Sequence, residues 1–223
     1  MKKRISCKAL IFDMDGTIVD TNIIWDIATQ KLLVSKGVSY TPEIHTTVRE
    51  LLMGGAGGLR LGCALLKQMF DLPDTAEQLA FEKKAHAHEL YKNGVAFIEG
   101  FSEFHKKIAH MPTAIATNAD DRTLEITNCA LNLDTYFGKH IYGISRVNHL
   151  GKPRPDIYLH AAEQLGIDPR DCVAIEDSAT GIKAAQAAGM HCIGINTHGS
   201  RELIALADTI VDGYHEIDFL DIF

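Results

Sequence analysis

Five short stretches of this chain are apolar without interruption: "KALIFD", "TAIATN", "DCVAIED", "HCIGIN" and "DTIVD". Each is bounded by polar residues or glycine, and helical patterns lie between them. A strand with one face in water alternates apolar and polar residues. A continuous run has both faces covered, as in a parallel sheet with helices packed on each side. The helix signals agree. Pro155 falls in the first turn of "RPDIYLHAAEQLG", Ile157, Ala161 and Leu165 share one face, and Gly166 stands at the C-terminal stop. "ATGIKAAQAAGM" is alanine-rich and stops in the same way at Gly189. The predicted class is α/β, with a Rossmann-like parallel sheet core and helices on both faces.

Between the first and second apolar runs the texture changes. From Ile23 to about Tyr91 there is no strand signal, only helical stretches. Thr41-Pro42-Glu43 reads as a helix cap, a first-turn proline and an acidic first turn. Asp74 with Glu77 resembles a capping box before "AEQLAFEKKAHAHELYK". Connections inside α/β units are short, so a segment of this length is an insert. The expected division is a core of residues 1–20 and 92–223 and an inserted all-helical cap domain of residues 21–91. His86 and His88, two apart on a helix, face different directions, which argues against a metal pair and for solvated side chains. Trp25, Phe81, Tyr91 and Phe97 read as cap packing.

With a net charge of -7 and Lys/Arg clustered only at Lys2-Lys3-Arg4, the 223-residue chain lacks the basic face of a nucleic-acid binder. An anionic substrate must then be held by local positive charge or by a metal. No stretch approaches the ~20 apolar residues of a membrane span. The five cysteines are scattered without a CxxC pair, which suits reduced core thiols and a cytoplasmic location. The oligomeric state is not legible.

The first run carries a buried strand straight into two acids, Asp13 and Asp15, followed by Gly16 and Thr17. Ligands of open parallel sheets bind beyond the carboxyl ends of the strands. Thr117-Asn118 after "TAIA" and Glu176-Asp177 after "CVAI" reach the same edge. Acids gathered there repel one another, and a hard divalent ion such as Mg²⁺ removes that cost while leaving positions for a phosphate oxygen. A carboxylate is also a nucleophile toward phosphorus, and a second acid two residues on can serve the leaving oxygen and then the incoming water. Thr117 offers a hydroxyl at the start of the helix "ADDRTLEITNCAL", where free backbone N–H groups favour an anion. Lys152 in "GKPRPD" is a point positive charge held between Gly151 and Pro153.

Through "DMDGT", Thr117, "GKPRPDIY" and "EDSATGIKAAQAAGM" the chain resembles the haloacid dehalogenase-like superfamily, in its helical-cap group. The resemblance implies Asp13 as nucleophile, Asp15 as general acid/base, and Thr117, Asn118 and Lys152 as phosphate-binding residues. It implies Mg²⁺ held by Asp13, Asp15 (through its backbone carbonyl), Glu176 and Asp177. The dehalogenases themselves lack an aspartate at the position of Asp15 and need no metal, so its presence points to phosphoryl transfer. Within the family "LLMGGAGGLRLGCALL" is similar to the glycine-rich cap stretch of phosphoglycolate phosphatases. β-Phosphoglucomutases carry an arginine three residues after the first cap glycine, where this chain, counted from Gly54, has Gly57. The expected function is hydrolysis of a small phosphorylated metabolite, a sugar phosphate or phosphoglycolate, through an aspartyl-phosphate. The alternative is a phosphohexomutase of the β-phosphoglucomutase type.

Overall fold

The computed structural model describes residues 7–53, 59–92 and 94–217. Gly54, Gly57 and the Lys2-Lys3-Arg4 cluster lie outside the described residues. The chain divides into two compact units, Met1–Asp20 with Ala96–Phe223, and Thr21–Val95. The first holds a parallel sheet of β1 (Ala9–Phe12), β2 (Thr113–Ala116), β3 (Ile141–Tyr142), β4 (Cys172–Glu176), β5 (His191–Ile195) and β6 (Thr209–Val211). Its order is β3-β2-β1-β4-β5-β6. Successive strands are therefore added on one side of β1 as far as β3, then on its other side from β4 onward. The tips of β1 and β4 flank the point where the winding reverses, and an open α/β sheet offers its crevice there. β3 carries no run the sequence could reveal; its two residues are recruited by pairing Ile115 with Ile141.

The second unit is helical: α1 (Asn22–Ser35), α2 (Pro42–Met53), α3 (Leu59–Phe70) and α4 (Ala76–Lys92). Leu32, Leu33, Val48, Cys63, Leu66 and Leu79 form its core. The capping box of α4 lies one residue later than the sequence suggests. Thr75 and Gln78 exchange backbone-to-side-chain bonds at 2.8 and 3.2 Å, while Asp74 accepts from Lys36 Nζ at 2.9 Å. A lysine 38 residues away has taken the predicted cap. His88 is buried and His86 half-buried, against the expectation of solvated side chains, because α4 packs closely on α1. Of the aromatics assigned to cap packing, Phe81 is exposed, and Phe97 belongs to the first unit, 5.0 Å from the Phe101 ring and 5.1 Å from that of Tyr136.

In the sheet unit α5 (Phe101–Lys107), α6 (Asp121–Leu131), α7 (Asp134–Phe137), α8 (Asp156–Leu165) and α9 (Ala179–Ala187) cover the strands. All four residues of β1 are fully buried, as a two-sided strand requires. Ala9 and Ile11 share one core with Ile157, Ala161 and Ala162 of α8 and Ile182 of α9. Phe12 packs on the other face against Phe101, Phe104 and Phe137 at 5.7–6.3 Å between ring centroids.

His105 lies in that aromatic layer, 5.1 Å from Tyr136 and 5.3 Å from Phe137, and its Nε2 is buried without a partner among the described residues. Burial depresses its pKa, so the folded state holds it neutral. The unfolded chain takes up the proton below about pH 6.5, and stability is lost as the pH falls through that value toward the lower folded pKa. His105→Phe is expected to flatten the decline of Tm between about pH 7 and pH 5.5 as measured by thermal melts. An unchanged slope would show that His105 titrates normally.

Candidate active site

The site is built where β1 ends. The Asp13 amide donates to the Ile175 carbonyl at 3.0 Å, which registers the strand tip against β4. The chain then turns: the amides of Thr17, Ile18 and Val19 all donate to Met14 O, and Gly16 adopts φ +81°. Left-handed backbone suits glycine because it has no Cβ to clash. This turn leaves Asp13 buried at the strand tip and Asp15 half-buried, its backbone bridged to Val19.

Lys152 comes from the loop before α8. Its ammonium is buried and donates to Asp13 Oδ1 and, at 2.6 Å, to Glu176 Oε1. Burial works against the charged ammonium, but Asp13 and Glu176 outweigh it and hold its pKa above the ordinary lysine range. The Asp13 carboxyl is lifted well above its usual range by burial; the Lys152 charge opposes this, and Glu176 and Asp177 add to it. Tyr158 of α8 donates to Glu176 Oε1 at 2.8 Å, and its ring centroid lies 4.8 Å from the Lys152 ammonium. Ser178 supplies Glu176 Oε2 with its hydroxyl at 3.0 Å and its amide at 3.3 Å. Glu176 is thus held on both oxygens.

Gly181 makes room for that arrangement. A Cβ there would fall on the Glu176 carboxylate. Alanine is the better helix former by about 1 kcal/mol, yet overpacking of this kind costs about 1–3 kcal/mol. Gly181→Ala is therefore expected to lower Tm in a thermal melt, and a raised Tm would contradict the geometry.

Thr117 is buried at the tip of β2, but it does not open the following helix as the sequence suggests. Its hydroxyl accepts from the Ala119 amide at 3.1 Å. The cap of α6 is Asp120, whose carboxylate accepts the Thr123 amide at 2.8 Å. An acid is the better partner for the free N–H groups and the positive end of the helix dipole. Asn118 is exposed, and its Oδ1 accepts the Lys152 amide at 2.9 Å, tying the β2 tip to the lysine loop. Gly151 permits this approach: a Cβ on it would sit 2.9 Å from that same oxygen.

Asp177 completes the group. Its Oδ1 accepts from Thr17 at 3.0 Å, and its Oδ2 lies 2.5 Å from His198 Nε2. One oxygen from each of Asp13, Glu176 and Asp177 lies within 4.8 Å of the others, and all three residues are buried. Such a set of hard carboxylate oxygens suits Mg²⁺. Burial is the main cause of the lifted Asp13 pKa, and the neighbouring Glu176 and Asp177 charges that add to it are ones a cation would offset. Four residues singled out in the sequence (Asp13, Lys152, Glu176 and Asp177) thus meet in one buried cluster, with Asn118 tethering its lysine loop. The sequence did not point to the contacts that Tyr158, Thr17 and His198 make with this cluster. Tyr158 sits in the quoted lysine motif, whereas His198 has no local signal.

A family model described as haloacid dehalogenase-like hydrolase matches residues 7–189. The chain is 32% identical over 192 residues to a "Phosphorylated carbohydrates phosphatase" of Thermotoga maritima, covering 83% of each. It is 30% identical over 190 residues to "Fructose-1-phosphate phosphatase YqaB" of Escherichia coli, covering 83% of this chain and 95% of that one. Among solved structures, a mutant of CbbY from Rhodobacter sphaeroides in complex with xylulose-(1,5)-bisphosphate matches with a TM-score of 0.76 at 26% identity, over 94% of this chain and 96% of that one. Family model, relatives and fold agree with the motifs at the strand tips, and the chain is a hydrolase belonging to the haloacid dehalogenase-like family.

Proposed function

We propose that the chain hydrolyses a small phosphorylated carbohydrate through an aspartyl-phosphate on Asp13, with Mg²⁺ as cofactor. It is a phosphoric monoester hydrolase, in keeping with its phosphatase relatives. The observation that carries the reading is the Lys152 ammonium bonded to both Asp13 and Glu176 beside Asp177, all within one buried cluster. A cation fixed against the attacking carboxylate is placed to hold the phosphoryl oxygens as charge moves onto them. Tyr158 and Ser178 keep Glu176 pointed at that lysine, so the lysine keeps its aim.

In this reading Asp13 attacks phosphorus, Asp15 protonates the leaving alcohol, and Asp15 then takes the proton of the water that releases phosphate. Thr117 and Asn118 line the phosphate position at the β2 tip. Asp13, Asp177, the Asp15 carbonyl and Glu176 would hold Mg²⁺, which supplies charge neutralisation for the incoming phosphate when bound. We assign residues 21–91 the part of the family's cap, which selects the substrate. No described helix is long and apolar enough to cross a membrane, and the acidic balance argues against nucleic acid as substrate.

The test is a panel of hexose, pentose and hexitol phosphates with phosphoglycolate, assayed for released phosphate with and without Mg²⁺. Phosphate released from a sugar phosphate only with Mg²⁺ supports the reading. Conversion of a sugar 1-phosphate to the 6-phosphate without phosphate release would replace it with the mutase.

A further inference from the structure

The loop that follows β5 is tied down on every side. The Asn196 amide donates to Val211 O at 2.9 Å and its side-chain amide donates to Asp212 at 2.9 Å. Thr197 Oγ1 donates to the carbonyl of Gly16 at 2.6 Å, which anchors this loop on the turn that carries Asp13 and Asp15. Arg201 pairs with Asp212 at the far end. Between these anchors His198 reaches Asp177 Oδ2. The route is set by the sheet: β5 is the parallel neighbour of β4, with Glu176 opposite Gly194, so a residue just past the end of β5 stands beside the tip of β4.

We propose that His198 is a positioning residue for the metal site, orienting the Asp177 carboxylate; this rests on the reading of Asp177 as a Mg²⁺ ligand. An ionised carboxylate only accepts, so the 2.5 Å contact is a bond donated by His198 Nε2–H. Thr17 donates to the other oxygen of the same carboxylate at 3.0 Å. The two donors hold Asp177 from both sides and fix its plane. Each oxygen keeps a second lone pair, which leaves a defined direction for a cation. Partners that orient a ligating carboxylate contribute about 10–100-fold to metal affinity when measured by mutation. The orientation comes from a strand tip other than those that bear the acids, so the β5 loop takes part in the site.

The experiment is Mg²⁺ binding measured by titration calorimetry on wild type, His198→Ala and His198→Gln, without substrate. Glutamine keeps an N–H donor near the position of Nε2; alanine removes it. The expected result is Kd for Mg²⁺ raised about 10-fold or more in His198→Ala and largely restored in His198→Gln. In turnover assays the Mg²⁺ concentration for half-maximal rate moves with Kd, while the rate at saturating Mg²⁺ stays near wild type. Equal or tighter Mg²⁺ binding by His198→Ala overturns the proposal and leaves the function intact. A wild type that binds no Mg²⁺ overturns both.

Discussion

Asp13→Asn is expected to lower the rate of phosphate release at least ~10⁴-fold while leaving Tm unchanged or slightly raised. The two halves of this result share one cause. A nucleophile must present charge to phosphorus, and in the proposed role Asp13 would do so from a buried position beside two other acids. Burial and the neighbouring carboxylates disfavour that charge in the folded state, so its folded pKa lies above the unfolded value. A group of this kind contributes stability at low pH and loses it as the pH rises through the folded pKa. At neutral pH the charged form is therefore a load on the fold, partly offset by Lys152. Asparagine keeps the shape, removes the charge and leaves Lys152 its bond to Glu176. Rate loss is read by phosphate release and stability by a thermal melt. Retention of more than about 1% of the activity would remove Asp13 from the role of nucleophile, and so would a phosphoenzyme seen by mass spectrometry in the variant.

The strands and the cluster differ in how far the sequence could reveal them. β1, β2, β4, β5 and β6 announce themselves because each continues an apolar run of strand length, and β1, β2 and β4 are buried at every position. Two-residue β3 has no such pattern, since its place is decided by the neighbour it pairs with. The acids were legible because charge carried to the end of a buried strand is costly to desolvate and persists only beside a partner of opposite sign. Lys152, in the loop before α8, was legible from its place between Gly151 and Pro153. What surrounds them was not. His198 acquires its partner from the order of strands in the sheet, and Tyr158 from the face α8 turns to β4; neither follows from local spacing. Two helix starts, those assigned to Asp74 and Thr117, differ from expectation for the same reason. Asp74 and Asp120 obey identical local rules, yet Asp120 caps its helix while Asp74 is drawn to Lys36, which only the packing of α1 brings near. Local chemistry limits what a residue can do, and tertiary contact selects among those options.

Lys152→Met separates the catalytic and structural duties of the buried ammonium that joins Asp13 to Glu176. Without it the carboxylates keep their positions but lose the nearest cation. Removing one partner of a buried charge pair costs about 3–5 kcal/mol. Protonation of a carboxylate limits that loss, so the penalty is smaller in acid and grows as the pH rises through the raised Asp13 pKa. The variant should therefore melt lower than wild type at about pH 8, and the gap should narrow at about pH 5. A Mg²⁺ ion bound by the same acids neutralises part of the exposed negative charge, so Mg²⁺ should raise Tm more in Lys152→Met than in wild type. Catalysis does not recover with it. The methionine offers no donor to the phosphoryl oxygens, and the loss of one such donor costs about 10²–10³-fold in kcat. A variant that regains both stability and turnover in Mg²⁺ would show that Lys152 serves only to balance the charge of the acids. Stability restored with turnover still lost assigns the lysine to the phosphoryl group.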